Sequence, residues 1–145
     1  MTSLTLVRQI AARPATVFDL LSSEEGLTSW WGPDDLPVLS ARADVRVGGD
    51  FRVEFQSIDG SRHVCAGTFL DITEPERIVM SWRWTSGGEP EERGAVSRVE
   101  LHLRPIETGT ELTLIHAALR NDVSRASHEA GWSGALDKLL RNLVK

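Results

Sequence analysis

Two histidines have the spacing to face a common interior. His116 alternates with Leu112 and Leu114 along one face of an apolar strand, and His128 lies one helical turn before Trp132. A neutral imidazole offers one donor and one acceptor, and it can move a proton near neutral pH. Proton transfer of that kind needs a second group beside it. A general acid needs a raised pKa in an apolar pocket, and no carboxylate is placed for one. The acidic pairs Glu24-Glu25, Asp34-Asp35 and Glu91-Glu92 all stand in polar surroundings and read as solvated surface. His63 and His102 fall on the outward parity of their strands. Two inward histidines with no carboxylate at motif spacing do not make a metal site. Cys65 is the only cysteine, so neither an internal disulfide nor a multi-cysteine zinc site is expected, and the residue reads as a small buried side chain. A nucleophile elbow, a P-loop and a dinucleotide fingerprint are absent, and Gly48-Gly49 is too short to count as one. The residues therefore assign no catalytic group, no metal and no cofactor.

The aromatic residues say more. The chain has five Trp, four Phe and no Tyr. Trp is stiff, large and suited to cavity walls. Trp30 and Trp31 are adjacent at a helix end before Gly32-Pro33, with one ring expected inward and the other toward the loop. Trp82 and Trp84 share one strand face, as do Phe51 and Phe55. Trp132 and Leu136 belong to one stripe of the last helix. Together with His116 and His128 these residues form the expected wall of an apolar cavity with a few polar handles, the usual form of a small-molecule site. Gly131 and Gly134 interrupt that helix at a cost of about 1 kcal/mol each relative to Ala. They mark either close packing on a sheet or room for a ligand beside Trp132.

These side chains need elements to position them. Residues 4–10 read as a strand. Pro14 opens a short amphipathic helix over 14–22, with Val17, Phe18 and Leu21 at helical spacing. Ser22 or Ser23 caps a second helix over 24–30, which Gly32 and Pro33 end. Strand patterns follow at 38–43, 51–56, 62–73, 78–84, 99–104 and 112–117. Gly48-Gly49, Asp59-Gly60 and Thr108-Gly109 supply turns, and Gly67 suggests a bulge. The polar segment 86–94 reads as a mobile hairpin tip. From about residue 124 the period becomes helical: His128, Trp132, Leu136, Leu139 and Leu143 form one stripe, with Ser124 or Asn121 as the cap and Lys138, Arg141 and Lys145 suiting the C-terminal dipole. A mostly antiparallel sheet with one face to bury, and one long helix to cover it, make an α+β domain spanning 1–145.

With 145 residues, 41% hydrophobic and 26% charged, the chain can build one core without staples. The net charge of −5 and the lack of Lys/Arg runs argue against nucleic acid. No stretch approaches a membrane span, and MTSLTLVRQI lacks the pattern of a signal peptide, so a cytoplasmic setting is expected.

Five stretches in order resemble the activator of heat-shock protein 90 ATPase homologue family, in the START-like (SRPBCC) superfamily. They are RQIAARPATVFDLLSSEEGLTSWWGP (8–33), Gly48-Gly49 with Phe51, ERIVMSWRW (76–84), GTELTLIH (109–116) and HEAGWSGALDKLLRNL (128–143). The resemblance implies a helix-grip fold: a curved sheet of about 6–7 strands around the C-terminal helix, with a cavity between them. In the name-giving co-chaperones such a domain follows a separate chaperone-binding domain. This chain starts at its first strand, so chaperone activation is not expected. The leading expectation is a small binding protein for an apolar or amphipathic molecule. The alternatives are a cyclase- or dehydratase-like enzyme using His116, and a co-chaperone-like or homodimeric interaction module marked by exposed apolar surface at Trp31 or an edge strand.

Overall fold

The computed structural model describes residues 2–32, 36, 38–57, 59–88 and 90–143. Strand β1 (Thr2–Ile10) is followed by helices α1 (Pro14–Leu21) and α2 (Glu24–Trp30), strands β2 (Val38–Ala43), β3 (Asp50–Gln56), β4 (Arg62–Thr73), β5 (Arg77–Ser86), β6 (Ser97–Ile106) and β7 (Gly109–Leu119), and helix α3 (Asp122–Leu143). The strands form one seven-stranded sheet in the order β1-β7-β6-β5-β4-β3-β2. Every neighbouring pair is antiparallel. Helix α3 is the long element of an α+β helix-grip fold, and its stripe of Ser124, His128, Trp132, Leu136 and Leu139 is buried.

Local chemistry explains the boundaries. Pro14 stands at the start of α1, where its missing N–H costs nothing. The Ser23 hydroxyl accepts from the Gly26 N–H and caps α2. Of the two cap candidates for α3 it is Asn121 that serves, its Oδ1 taking the Ser124 N–H at 2.9 Å. The first helix therefore ends one residue earlier than expected, and the other two follow the sequence closely.

Four expectations are corrected. Gly67 is not a bulge: it pairs in register with Phe51, and the register shifts flank it, at Val64/Cys65 and Phe69/Asp71. Its role is close approach, because a Cβ there would stand 1.9 Å from the Ser81 carbonyl oxygen. The Asp59-Gly60 turn is not a two-residue hairpin. Ser57 N–H donates to Ser61 O, Gly60 N–H donates to Ser57 O, and Gly60 sits at φ +87°, as in a three-residue loop with a left-handed glycine. Segment 86–94 carries a 3-10 turn at Pro90–Glu92. Glu92, expected at the solvated surface, is 3% exposed, and its Oε2 accepts from the Arg120 N–H at 2.9 Å. Trp30 and Trp31 are both buried, so neither ring is turned out to a loop. The Asp34-Asp35 pair, Pro33 and Lys145 lie outside the described residues.

Lys138 acts beyond its own helix. It reaches across to donate to Trp31 O at 2.9 Å and Leu36 O at 2.7 Å, while Asn142 Nδ2 donates to Ser29 O. The last carbonyls of a helix lack intrahelical partners. Two side chains of α3 thus satisfy carbonyls at the end of α2 and hold Trp31 in place.

Candidate functional site

Between the sheet, the end of α2 and the middle of α3 lies a cavity of about 170 Å³. Trp31 enters from the α2 terminus, Phe55 from β3, His63 from β4, Trp82 and Trp84 from β5, and His128 and Trp132 from α3. Of the expected wall residues, Trp31, Phe55, Trp82, Trp84, His128 and Trp132 line it. Trp30, Phe51, His116 and Leu136 are buried outside the lining, behind it or beside it. His63 was expected to face outward and instead lines the cavity. The register explains this: His63 pairs directly with Phe55, so it shares that residue's inward face. His102 does face outward, paired with Glu100 at 2.8 Å.

Three of the five indole N–H groups are already used. Trp30 N–H donates to Leu20 O at 3.0 Å, Trp84 N–H to His128 Nε2 at 3.2 Å and Trp132 N–H to His116 Nδ1 at 3.0 Å. Trp82 Nε1 has no acceptor among the described residues and is enclosed. The N–H groups of Trp30, Trp84 and Trp132 are therefore not left as handles for a ligand.

The histidine bonds fix the tautomers. His116 accepts at Nδ1, so Nε2 carries the proton and donates to Ser97 Oγ at 2.7 Å. His128 accepts at Nε2 and donates from Nδ1 to Ser124 O at 2.9 Å. The two rings lie 4.8 Å apart in an edge-to-face arrangement. Burial, followed by the neighbouring His128, holds the His116 pKa well below its usual 6.5. His116 is thus a neutral core residue with both nitrogens spent, which removes the arrangement a proton carrier would need.

A second polar chain stands at the cavity edge. Gly88 N–H donates to His63 Nδ1 at 2.6 Å, so His63 donates from Nε2, to Ser57 Oγ at 3.0 Å. Ser57 in turn donates to Asp59 Oδ1 at 2.7 Å. Hydrogen bonds from Ser61, then Ser57, hold the Asp59 carboxyl at a pKa of about 2. Serine, histidine and aspartate are together here, but the polarity is wrong for hydrolysis. The serine proton goes to Asp59, and the nitrogen facing the hydroxyl is already protonated, whereas an activated serine must give its proton to histidine. Cys65 is equally unsuited to attack: it is fully buried, and burial pushes its thiol pKa far up. No group of His, Cys, Asp and Glu able to hold a metal occurs among the described residues.

Gly131 settles one of the two readings left open for α3. A Cβ at Gly131 would meet no atom within 4 Å, and the residue lines the cavity. Gly131 is exposed at the cavity mouth, so its missing side chain does not serve close packing. Gly131→Ala is accordingly expected to stabilise the fold by about 0.5–1 kcal/mol through helix propensity, measured as a raised urea midpoint with an unchanged slope. A loss of stability would show that the backbone at 131 is held tightly by its neighbours.

Comparison with known proteins gives a family and a fold. The sequence profile described as Activator of Hsp90 ATPase homolog 1-like protein matches residues 11–144. The solved AHSA1 protein of Silicibacter pomeroyi is 29% identical, with 99% of this chain and 98% of that one covered and a TM-score of 0.84. A Chromobacterium violaceum protein is 21% identical over 99% and 98% of the two chains, with a TM-score of 0.82. An AHSA1-like protein of Aeromonas hydrophila is 22% identical over 97% and 90%, with a TM-score of 0.76. These last two likenesses concern the fold. No curated protein sequence matches significantly.

Proposed function

The chain belongs to the Activator of Hsp90 ATPase homolog 1-like family, and from that premise we propose that it is a cytoplasmic single-domain protein that holds a small apolar or amphipathic molecule in its aromatic cavity. The observation that carries this reading is the wall itself. Four Trp and one Phe surround open space, and none of the described lining residues is Asp, Glu, Lys or Arg.

Size narrows the ligand. Pockets for drug-sized molecules run to roughly 300–1,000 Å³. A dry cavity of about 150 Å³ accepts benzene, so about 170 Å³ suits a molecule of about six to ten heavy atoms. Sterols, flavonoids and long acyl chains exceed it. Charge narrows it further. A carboxylate buried here would find no cationic partner among the described lining residues, and burying an unpaired charge is expensive. Ser57 and Ser127 are the hydroxyls at hand for an amphipathic ligand.

The alternatives receive no such support. A cyclase-like reading rests on His116, which is enclosed and doubly bonded. An interaction module needs an apolar patch. Trp31, the residue expected to mark one, is buried.

The test is a titration of tryptophan fluorescence and melting temperature with small aromatic alcohols and ketones, beside sterols and fatty acids. Saturable quenching and a raised melting temperature with the small set alone are expected, since ligand binding stabilises the folded state. Binding of the sterols in preference would contradict the size argument.

A further inference from the structure

We propose that the cavity prefers an organic cation of the quaternary or methylated ammonium class over a neutral or anionic molecule of the same shape. This rests on the reading of the cavity as a ligand site and adds the sign of the charge.

Three observations carry it. First, the wall is built of aromatic rings set at several inclinations. Trp82 and Trp84 stand at 88°, Trp31 and Trp132 at 69°, Trp84 and Phe55 at 59°, and Trp82 and Trp132 at 58°, while Trp31 stacks on Trp82 at 13°. Aromatic faces carry negative quadrupolar potential, and a quaternary ammonium within about 6 Å of several such faces is attracted to each.

Second, two indole donors of the wall are withdrawn from the cavity: Trp84 and Trp132 direct their N–H groups to histidine nitrogens. Those donors are lost to an anion or a carbonyl, and the ring carbons remain. A quaternary ammonium offers no N–H of its own, so it needs no acceptor from this wall.

Third, a fixed negative charge stands at the cavity edge beyond Ser57, while the Lys138 ammonium behind Trp31 is engaged by the Trp31 and Leu36 carbonyls. Ser57 lines the cavity and its hydroxyl donates to Asp59, which is ionised at neutral pH. The adjacent cation, Arg62, pairs with Glu54 at 3.4 Å. His63 faces the cavity with its Nδ1 taken by the Gly88 N–H. The charge of the whole chain, −5, has the same sign. At about 170 Å³ the space suits a trimethylammonium group with a short tail.

The experiment compares three molecules of one shape by calorimetry and by the indole N–H resonances of the intact protein: choline, its neutral carbon isostere tert-butylethanol, and the anionic tert-butylacetate. Choline is expected to bind at least about tenfold more tightly than the alcohol, with tert-butylacetate weakest. Asp59→Asn is expected to weaken choline several-fold and to leave the alcohol unmoved. Equal or tighter binding of the alcohol would overturn the charge preference while leaving the cavity in place as a ligand site. Binding of small neutral aromatics with none of the three shaped probes would do the same. Silence from every small molecule in both sets would overturn this inference and the cavity reading together.

Discussion

Replacing His116 by alanine is expected to cost about 4–5 kcal/mol of stability. The side chain is 0% exposed and holds two parts of the core together, through Ser97 on β6 and Trp132 on α3. Truncating a buried ring leaves a cavity worth about 3 kcal/mol or more. It also strands the Trp132 N–H and the Ser97 hydroxyl, and a buried group without its partner costs roughly 1–3 kcal/mol. His116→Phe separates the two effects, since it refills the volume and restores neither bond. About 2–3 kcal/mol is expected there, read from urea denaturation. The same residue sets a pH dependence. Its folded pKa lies well below 6.5, so below that pH the unfolded chain binds a proton that the folded chain does not. Stability from this source is complete above about pH 6.5 and is lost as the pH falls, at up to about 1.4 kcal/mol per pH unit for one proton. The phenylalanine variant should lack that component of the slope. An unchanged slope would mean that His116 is protonated in the folded state.

Lys138→Met is the second large effect, about 3 kcal/mol. The lysine is 9% exposed, and its ammonium bonds Trp31 O and Leu36 O. Methionine matches the stem of the side chain and removes the donor. Two carbonyls then lose a charged partner, and hydrogen bonds to charged groups are worth roughly 1.5–3 kcal/mol each. The consequence reaches the cavity, because Trp31 stacks on Trp82 at 5.4 Å and meets Trp132 edge-on at 5.3 Å. A shifted tryptophan emission should accompany the lower urea midpoint. A variant as stable as the parent would show that these carbonyls find water readily.

The elements were legible because their periods are strong. Strand alternation placed Phe51, Trp82 and His116 inward, and the spacing of four, four and three placed His128, Trp132, Leu136 and Leu139 on one stripe. What period alone could not show was the partner across a gap. Lys138 looks like any lysine in the last turns of a helix until α2 arrives beside it. His63 follows Phe55 inward only through pairing across the hairpin. Glu92 is buried because the turn between β7 and α3 presents the Arg120 N–H to it. The division of the aromatic residues into lining and core was likewise out of reach. It depends on which ring edges find acceptors, and those acceptors lie far away in sequence, as His116 does from Trp132 and Leu20 from Trp30. Gly131 was visible as a question, since a mid-helix glycine has either a packing or a functional reason, and its exposed place at the cavity mouth answers it.

The cavity itself is tested most directly by obstructing its mouth. Gly131→Leu places a side chain at the exposed cavity mouth, where no atom lies within 4 Å of the new Cβ. The parent and this variant should be titrated side by side with small aromatic alcohols and with choline, following the indole N–H resonances and the melting temperature. Saturable shifts at Trp82, Trp84 and Trp132 in the parent are expected, with their loss in a variant that melts no lower. Equal shifts in the obstructed variant, or none in the parent, would contradict a ligand site between the sheet and α3.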